Sequence, residues 1–349
     1  MARLRAACAA VCWMLLGSVS EPATAAPVPE RTHVTAAFGS FIVGYLPLPL
    51  ALAKGYFADE GLDVEIQNFG GPSSKALQSL IGGSTDAAFG AYDHTLHMQV
   101  QGKDIQCVAL VNRLPALAIA VRKDLSGRIR SLRDVKGATF GIPGPGTVTE
   151  FMIRRFILDA GVSPSNVNIV SVGGQQNAIA AFESRRVDVQ VQFDPAISVM
   201  ERDGLGDVIV DMRTAEQTHA MLGGDYPWTC LYAKRTFIDE NPATVQHLVN
   251  ALFRALRWIH EHSPVEIADA TPAEYQVGGR DLFTRVLGAS KEVFPVDGRL
   301  TPDMVERSRA FIAEFVPQVK SYPIRIPDTY TNRFVDAALA AFGKENAAR

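Results

Sequence analysis

Cysteine is scarce in this 349-residue chain, with only Cys8, Cys12, Cys107 and Cys230. Cys8 and Cys12 fall in an N-terminal apolar run, Cys107 and Cys230 stand at no metal-ligand spacing, and the seven histidines contain no His-Glu-x-x-His pair, so no zinc framework and no metal site is expected. A Gly-x-Ser-x-Gly elbow and a Walker loop are missing as well. The stretch Gly141 to Gly146 is glycine-rich but lacks the Lys-Ser/Thr ending of a phosphate loop. Positive charge is in slight deficit, 34 Lys and Arg against 37 Asp and Glu, and the net charge of −3 gives no electrostatic reason to bind nucleic acid or an anionic membrane.

Long apolar runs are limited to one. Ala6 to Val19 follows Arg3 and Arg5 and precedes the small-residue sequence Ala23-Thr24-Ala25. A membrane span needs roughly 20 apolar residues. A basic start, a short apolar core and a small-residue end read instead as a cleavable secretory signal over residues 1–25, cut near Ala25. Its removal leaves about 324 residues (349 minus 25), enough for two lobes, and takes Arg3, Arg5 and Glu21 with it, moving the net charge from −3 to −4. A soluble periplasmic protein is expected. Only Cys107 and Cys230 then persist, both in apolar strand-like contexts. Two buried free thiols are expected, with a disulfide as the alternative that export would permit.

Strands and helices alternate through the first two thirds. Thr32 to Phe38, Asp63 to Phe69, Ala87 to Ala91 and Ile105 to Val111 read as strands. Pro47 to Lys54, Lys75 to Ile81 and Asp93 to Gln101 read as helices. The pattern restarts after a crossover strand at Ala116 to Arg122. Ala138 to Ile142, Val167 to Val172 and Val187 to Phe193 are strands, and Val148 to Ala160, Asn177 to Ser184 and the stretch from Asp194-Pro195 to about Arg202 are helices. Such alternation predicts an α/β fold with largely parallel sheets and ligand chemistry at the strands' carboxyl ends. Past a return strand at Trp228 to Lys234 the chain turns helical, at Pro242 to Glu261, Gly279 to Leu287, Thr301 to Phe315 and Pro327 to Phe342. This tail is expected to pack on the first lobe.

Several segments carry a family resemblance. Gly55-Tyr56-Phe57-Ala58-Asp59-Glu60-Gly61-Leu62-Asp63-Val64-Glu65 resembles a signature of periplasmic solute-binding proteins of the nitrate/sulfonate/taurine ABC importer superfamily, which also includes binders of the thiamine pyrimidine precursor. Gly82 to Ala88, Leu132 to Ile142, Val187-Asp188-Val189 with Asp194-Pro195, and Asn241 to Gln246 are similar to further family segments in the same order. The resemblance spans about residues 33 to 320. It implies a two-lobed Venus-flytrap (type II) fold with a helical C-terminal extension, lobe I from 32–115 plus 226–349 and lobe II from 116–225. It also implies a monomeric receptor that hands a small solute to a membrane permease and its ATPase, with no cofactor.

Candidate contacts follow from strand ends and helix starts, where unpaired backbone N–H groups make anion sites. Ser73 and Ser74, Thr147 with Gly144 and Gly146, and Gln175, Gln176 and Asn177 stand at three such starts, either touching ligand or capping the helix. Ser40 and Phe41, Tyr92 and Asp93, and Phe193 and Asp194 follow strands, with core packing and capping as alternatives. Tyr226 and Trp228 lie at the second crossing and either cover ligand or pack the hinge; Arg113 either pairs with a sulfonate or carboxylate or serves as an interlobe charge. Together they suggest a small organic anion, such as a sulfonate, taurine or an aromatic carboxylate, bound without catalysis. A pyrimidine ligand, a periplasmic sensing role and an enzyme on the same fold are the alternatives. The superfamily's fold also appears in a self-consuming thiamine-pyrimidine synthase, but that enzyme's cysteine-rich cluster is missing from this sequence, and His94 and His97, three apart on a helix, read as packed or solvated side chains.

Overall fold

The computed structural model describes residues 27–343; the expected signal segment lies outside them. Two five-stranded sheets form the cores of two lobes. The strands are β1 (His33–Phe38), β2 (Asp63–Asn68), β3 (Ala87–Ala91), β4 (Ile105–Asn112), β5 (Leu117–Arg122), β6 (Thr139–Ile142), β7 (Asn168–Ser171), β8 (Val189–Phe193), β9 (Gly206–Asp211) and β10 (Thr229–Lys234). The first sheet has the order β2-β1-β3-β10-β4 and the second β7-β6-β8-β5-β9. The chain crosses between them twice, from β4 to β5 and from β9 to β10.

The sheets are mixed, which corrects the expectation of largely parallel ones. β1 pairs in parallel with β2 and β3, but β10 runs antiparallel to β3 and β4. In the second sheet β6 is parallel to β7 and β8, and β5 is antiparallel to β8 and β9. The cause is connectivity: β5 and β10 are the strands that arrive from the other lobe, entering at the end where their neighbours finish. β9 and the helix Ala215–Leu222 add to the elements expected from the sequence; β9 is a half-buried edge strand that follows the Asp203-Gly204 turn.

Helix Pro242–Glu261 shows why the tail folds as it does. Val245, Leu248, Val249, Leu252, Phe253, Leu256 and Ile259 recur at helical spacing and are all buried, each contributing roughly 1.5–3 kcal/mol of transfer free energy. Its N-terminus receives no cap from Asn241; the Glu30 carboxylate instead accepts from Ala243 and Thr244 N–H at 3.0 and 2.8 Å. The expected helix from Pro327 to Phe342 is interrupted. Tyr330 adopts extended backbone and bridges Cys107 at the β4 edge, leaving short helix Ile326–Thr329 before Arg333–Phe342. The tail also touches both lobes, since Pro302–Phe315 packs on Val148–Asp159 and Arg280–Ser290 on Ala196–Arg202. Cys107 and Cys230 are free and buried on neighbouring strands. No helix among the described residues is long and apolar enough to cross a membrane.

Candidate ligand site

A cavity of about 60 Å³ lies between the carboxyl ends of the two sheets. One water needs ~10–15 Å³ on this scale, so the space suits a compact solute. The first lobe contributes Ser40, Ile42, Tyr45, Pro72, Ser73 and His94, with Trp228 and Thr229 entering from the second crossing. The second lobe contributes Pro143, Thr147, Val148, Thr149, Gln175, Gln192 and Phe193, and Gly71 and Gly174 offer backbone. Phe193 and Trp228 meet across the lobes at a centroid distance of 5.7 Å, and Tyr45 stacks on Phe38 at 5.3 Å.

Three helix starts border this cavity: Ser74–Gly82, Val148–Asp159 and Gln175–Glu183. None is closed by a side-chain cap, although Ser73 and Thr147 are residue types that commonly cap. Thr147 Oγ1 instead donates to Gly144 O at 2.9 Å. Elsewhere Ser131, Thr214, Ser263 and Thr301 do cap their helices. Uncapped starts leave N–H donors and partial positive charge facing the cavity.

Two side chains set the polarity of the interior. His94 is buried, and its Nδ1 lies 2.9 Å from Tyr232 Oη, so Nε2 is the ring nitrogen left for the cavity. Burial lowers its proton affinity, with Asp93 opposing and His97 assisting, and the ring is neutral at neutral pH. Gln175 Oε1 accepts from Ala196 N–H at 2.7 Å, which leaves its NH2 as the available end.

A pH effect follows. The unfolded chain takes up a proton near pH 6.5 that buried His94 refuses, so stability is lost as pH falls below about 6.5, at no more than about 1.4 kcal/mol per pH unit for one group. Half-buried His260, also lowered mainly by burial, adds to the slope. His94→Gln is expected to flatten the pH 5–6.5 dependence of urea unfolding by His94's share; an unchanged slope would show that His94 is not held neutral.

The lobes are in contact around the cavity. Val43 N–H donates to Asp194 O at 3.2 Å, Phe151 stacks on Phe315 at 5.6 Å, and Arg155 pairs with Glu314. Gly174 abuts Ser40 and Gly144 abuts Pro72 so closely that a Cβ on either glycine would lie 2.1 Å and 3.2 Å from its neighbour.

Of the residues singled out from sequence, Ser40, Ser73, Thr147, Gln175, Phe193 and Trp228 line the cavity. The others lie elsewhere. Phe41 is buried against Phe38 and Tyr275. Ser74 is the first residue of its helix, and Gln176 and Asn177 are exposed. Tyr92 Oη is 2.6 Å from Thr329 Oγ1 in the core. Asp93 is buried beside His97, and Asp194 accepts from Ser198 N–H and pairs with Arg213 at 3.2 Å. Arg113 holds Asp225 at 2.8 Å, tying the two crossings together. Tyr226 packs edge-on to Phe311, with Ser308 on its hydroxyl. Sequence reasoning missed Tyr45, His94, Thr149 and Gln192. Gln192 had a signal, a polar residue inside the buried strand run just before its carboxyl end; His94 stands within three residues of the end of β3.

The family model "NMT1/THI5 like" matches residues 44–266. The chain belongs to this family. A solved structure from Bordetella bronchiseptica RB50 is 35% identical, has a TM-score of 0.83, and covers 90% of this chain and 99% of its own. The alkanesulfonate-binding protein SsuA of Xanthomonas axonopodis pv. citri, solved with MOPS, shares the fold at a TM-score of 0.70 and 17% identity over 87% of this chain and 99% of its own. Among curated proteins, putative binding protein YtlA of Bacillus subtilis is 24% identical over 81% of this chain and 79% of its own length. The 4-amino-5-hydroxymethyl-2-methylpyrimidine phosphate synthase of Candida albicans is 26% identical over 62% and 64%. This NMT1/THI5-like chain is therefore a two-lobed α/β protein that shares its fold with the solved alkanesulfonate-binding protein. Among its described residues no group of three or more His, Cys, Asp or Glu side chains could hold a metal.

Proposed function

We propose that this protein is an extracytoplasmic receptor of an ABC importer, which captures a small organic anion between its lobes and presents the closed form to a membrane permease and its ATPase. The observation that carries this reading is the convergence of three uncapped helix starts on one largely apolar interlobe cavity. Backbone N–H groups there supply donors for a sulfonate or carboxylate end. Tyr45, Phe193, Trp228 and the two prolines supply an apolar surround for the body. Ser40, Ser73, Thr147, Gln175, His94 and Gln192 are the proposed polar contacts.

Binding without turnover is the favoured chemistry. His94 hydrogen-bonds Tyr232 through Nδ1, and no lining serine or threonine is hydrogen-bonded to it as a nucleophile would be to its base. A thermal-shift series of alkanesulfonates, aromatic carboxylates, nitrate and 4-amino-5-hydroxymethyl-2-methylpyrimidine tests the proposal. An organic anion is expected to raise Tm with occupancy, by about 2.7 kcal/mol of stabilisation at 100 times Kd. A response to the pyrimidine alone would move the reading to the pyrimidine ligand, and chemical conversion of any probe without partner proteins would overturn the receptor assignment.

A further inference from the structure

Resting on that reading of the cleft, we infer that the site selects a singly charged acid that carries no amine, and discriminates against dianions and zwitterions. The reason is the charge inventory of the cavity. Its lining contains no Lys, Arg, Asp or Glu. None of the nearby carboxylates lines it: Asp194 is held by Arg213 and Ser198, Asp93 is buried behind the lining, 3.8 Å from His97 and with one oxygen unpartnered, and Glu150, in the first turn of Val148–Asp159, is neutralised by Arg154 and accepts Gly146 N–H. Lys75 is exposed and lies along Gly71, outside the lining residues.

Positive potential inside therefore comes from helix ends, each equivalent to about half an elementary charge and fading within one turn. Three of them sum to about one and a half at most, which matches one negative charge. A second charge on the same ligand would be stripped of water with nothing to offset it, and an ammonium would meet three positive helix ends and no carboxylate. His94 and the Gln175 and Gln192 amides offer neutral hydrogen bonding to the remainder of the solute, which suits an uncharged body.

Matched probe series measured by calorimetry on the mature protein test this. Ethanesulfonate is compared with taurine, which adds only an amine, and benzenesulfonate with phenyl phosphate. Taurine is expected to bind at least 10-fold more weakly than ethanesulfonate. Phosphate monoesters lose their second proton near pH 6, so the phenyl phosphate Kd should rise about 100-fold from pH 5 to pH 8, following its monoanion, while benzenesulfonate stays within a few-fold. Lys75→Gln should leave the sulfonate Kd within about 2-fold. Tighter binding of taurine or of the phosphate dianion, or a 10-fold loss in Lys75→Gln, overturns the selectivity but leaves a receptor. Absence of binding throughout both series sinks the organic-anion reading and the selectivity with it.

Discussion

Gly174→Ala will bind ligand about 100-fold more weakly than the wild type, equivalent to roughly 2.7 kcal/mol, while its ligand-free melting temperature changes little. Gly174 has φ −84° and ψ −172°, a conformation open to any residue, so alanine brings no backbone strain. What it meets is the other lobe. An added Cβ lies 2.1 Å from Ser40 Oγ and 2.7 Å from Ser40 Cβ. Rotating the hydroxyl relieves the first contact but not the second, so the lobes must part and the binding-competent fraction falls, raising the apparent Kd in proportion. Adding Ser40→Gly removes both contacts, and the double variant should bind as well as Ser40→Gly alone, which lacks only the Ser40 hydroxyl. Calorimetry decides the matter: full affinity in Gly174→Ala would mean that the close approach of the lobes plays no part in capture.

Arg213→Met is the second substitution with a large expected effect, here on stability. Arg213 is 11% exposed and joins Asp211 at 2.7 Å with Asp194 and Glu201 at 3.2 Å. Burial opposes its charge, yet the hydrogen bonds it donates to Asp211 and the charges of Asp194, Asp211 and Glu201 hold its proton more firmly than usual. The Asp194 side chain is 3% exposed. Removing the guanidinium strands that carboxylate, which typically costs about 3–5 kcal/mol, or a fall of about 6–20 °C in Tm at about 2–4 °C per kcal/mol. Asp194→Asn in the same chain removes the stranded charge and should restore a substantial part. A melting temperature within 2 °C of wild type in Arg213→Met would show that water reaches Asp194 and that the cluster is a surface network of little energetic weight.

Much of the secondary structure was legible because period and punctuation agreed. Ala87 to Ala91 and Pro242 to Glu261 were readable to the residue: the first is a short apolar strand and the second a long amphipathic helix opened by proline. Strand direction was not legible, since nothing local in Leu117–Arg122 or Thr229–Lys234 tells that each enters its sheet from the other lobe. The cavity was legible where it is made of strand ends and helix starts, which place Ser40, Ser73, Thr147, Gln175 and Phe193. Tyr45 and Gln192 depend on the tertiary packing of a 3-10 turn and a buried strand. Arg113, Tyr92 and Asp194 had the right residue types at plausible points, yet their partners Asp225, Thr329 and Arg213 lie between 19 and 237 residues away in the chain, beyond what local pattern reveals.

The position of β10 has a consequence for the order in which the molecule can be built. β3 and β4 do not pair with each other; β10 stands between them. A nascent chain emerging amino end first thus holds the earlier sheet as two separate pieces until residue 234 has appeared, whereas every strand of the later sheet is available by residue 211. The half of the protein that begins first is obliged to finish last, and a chain stopped anywhere before β10 is left with unpaired strand edges exposed to self-association.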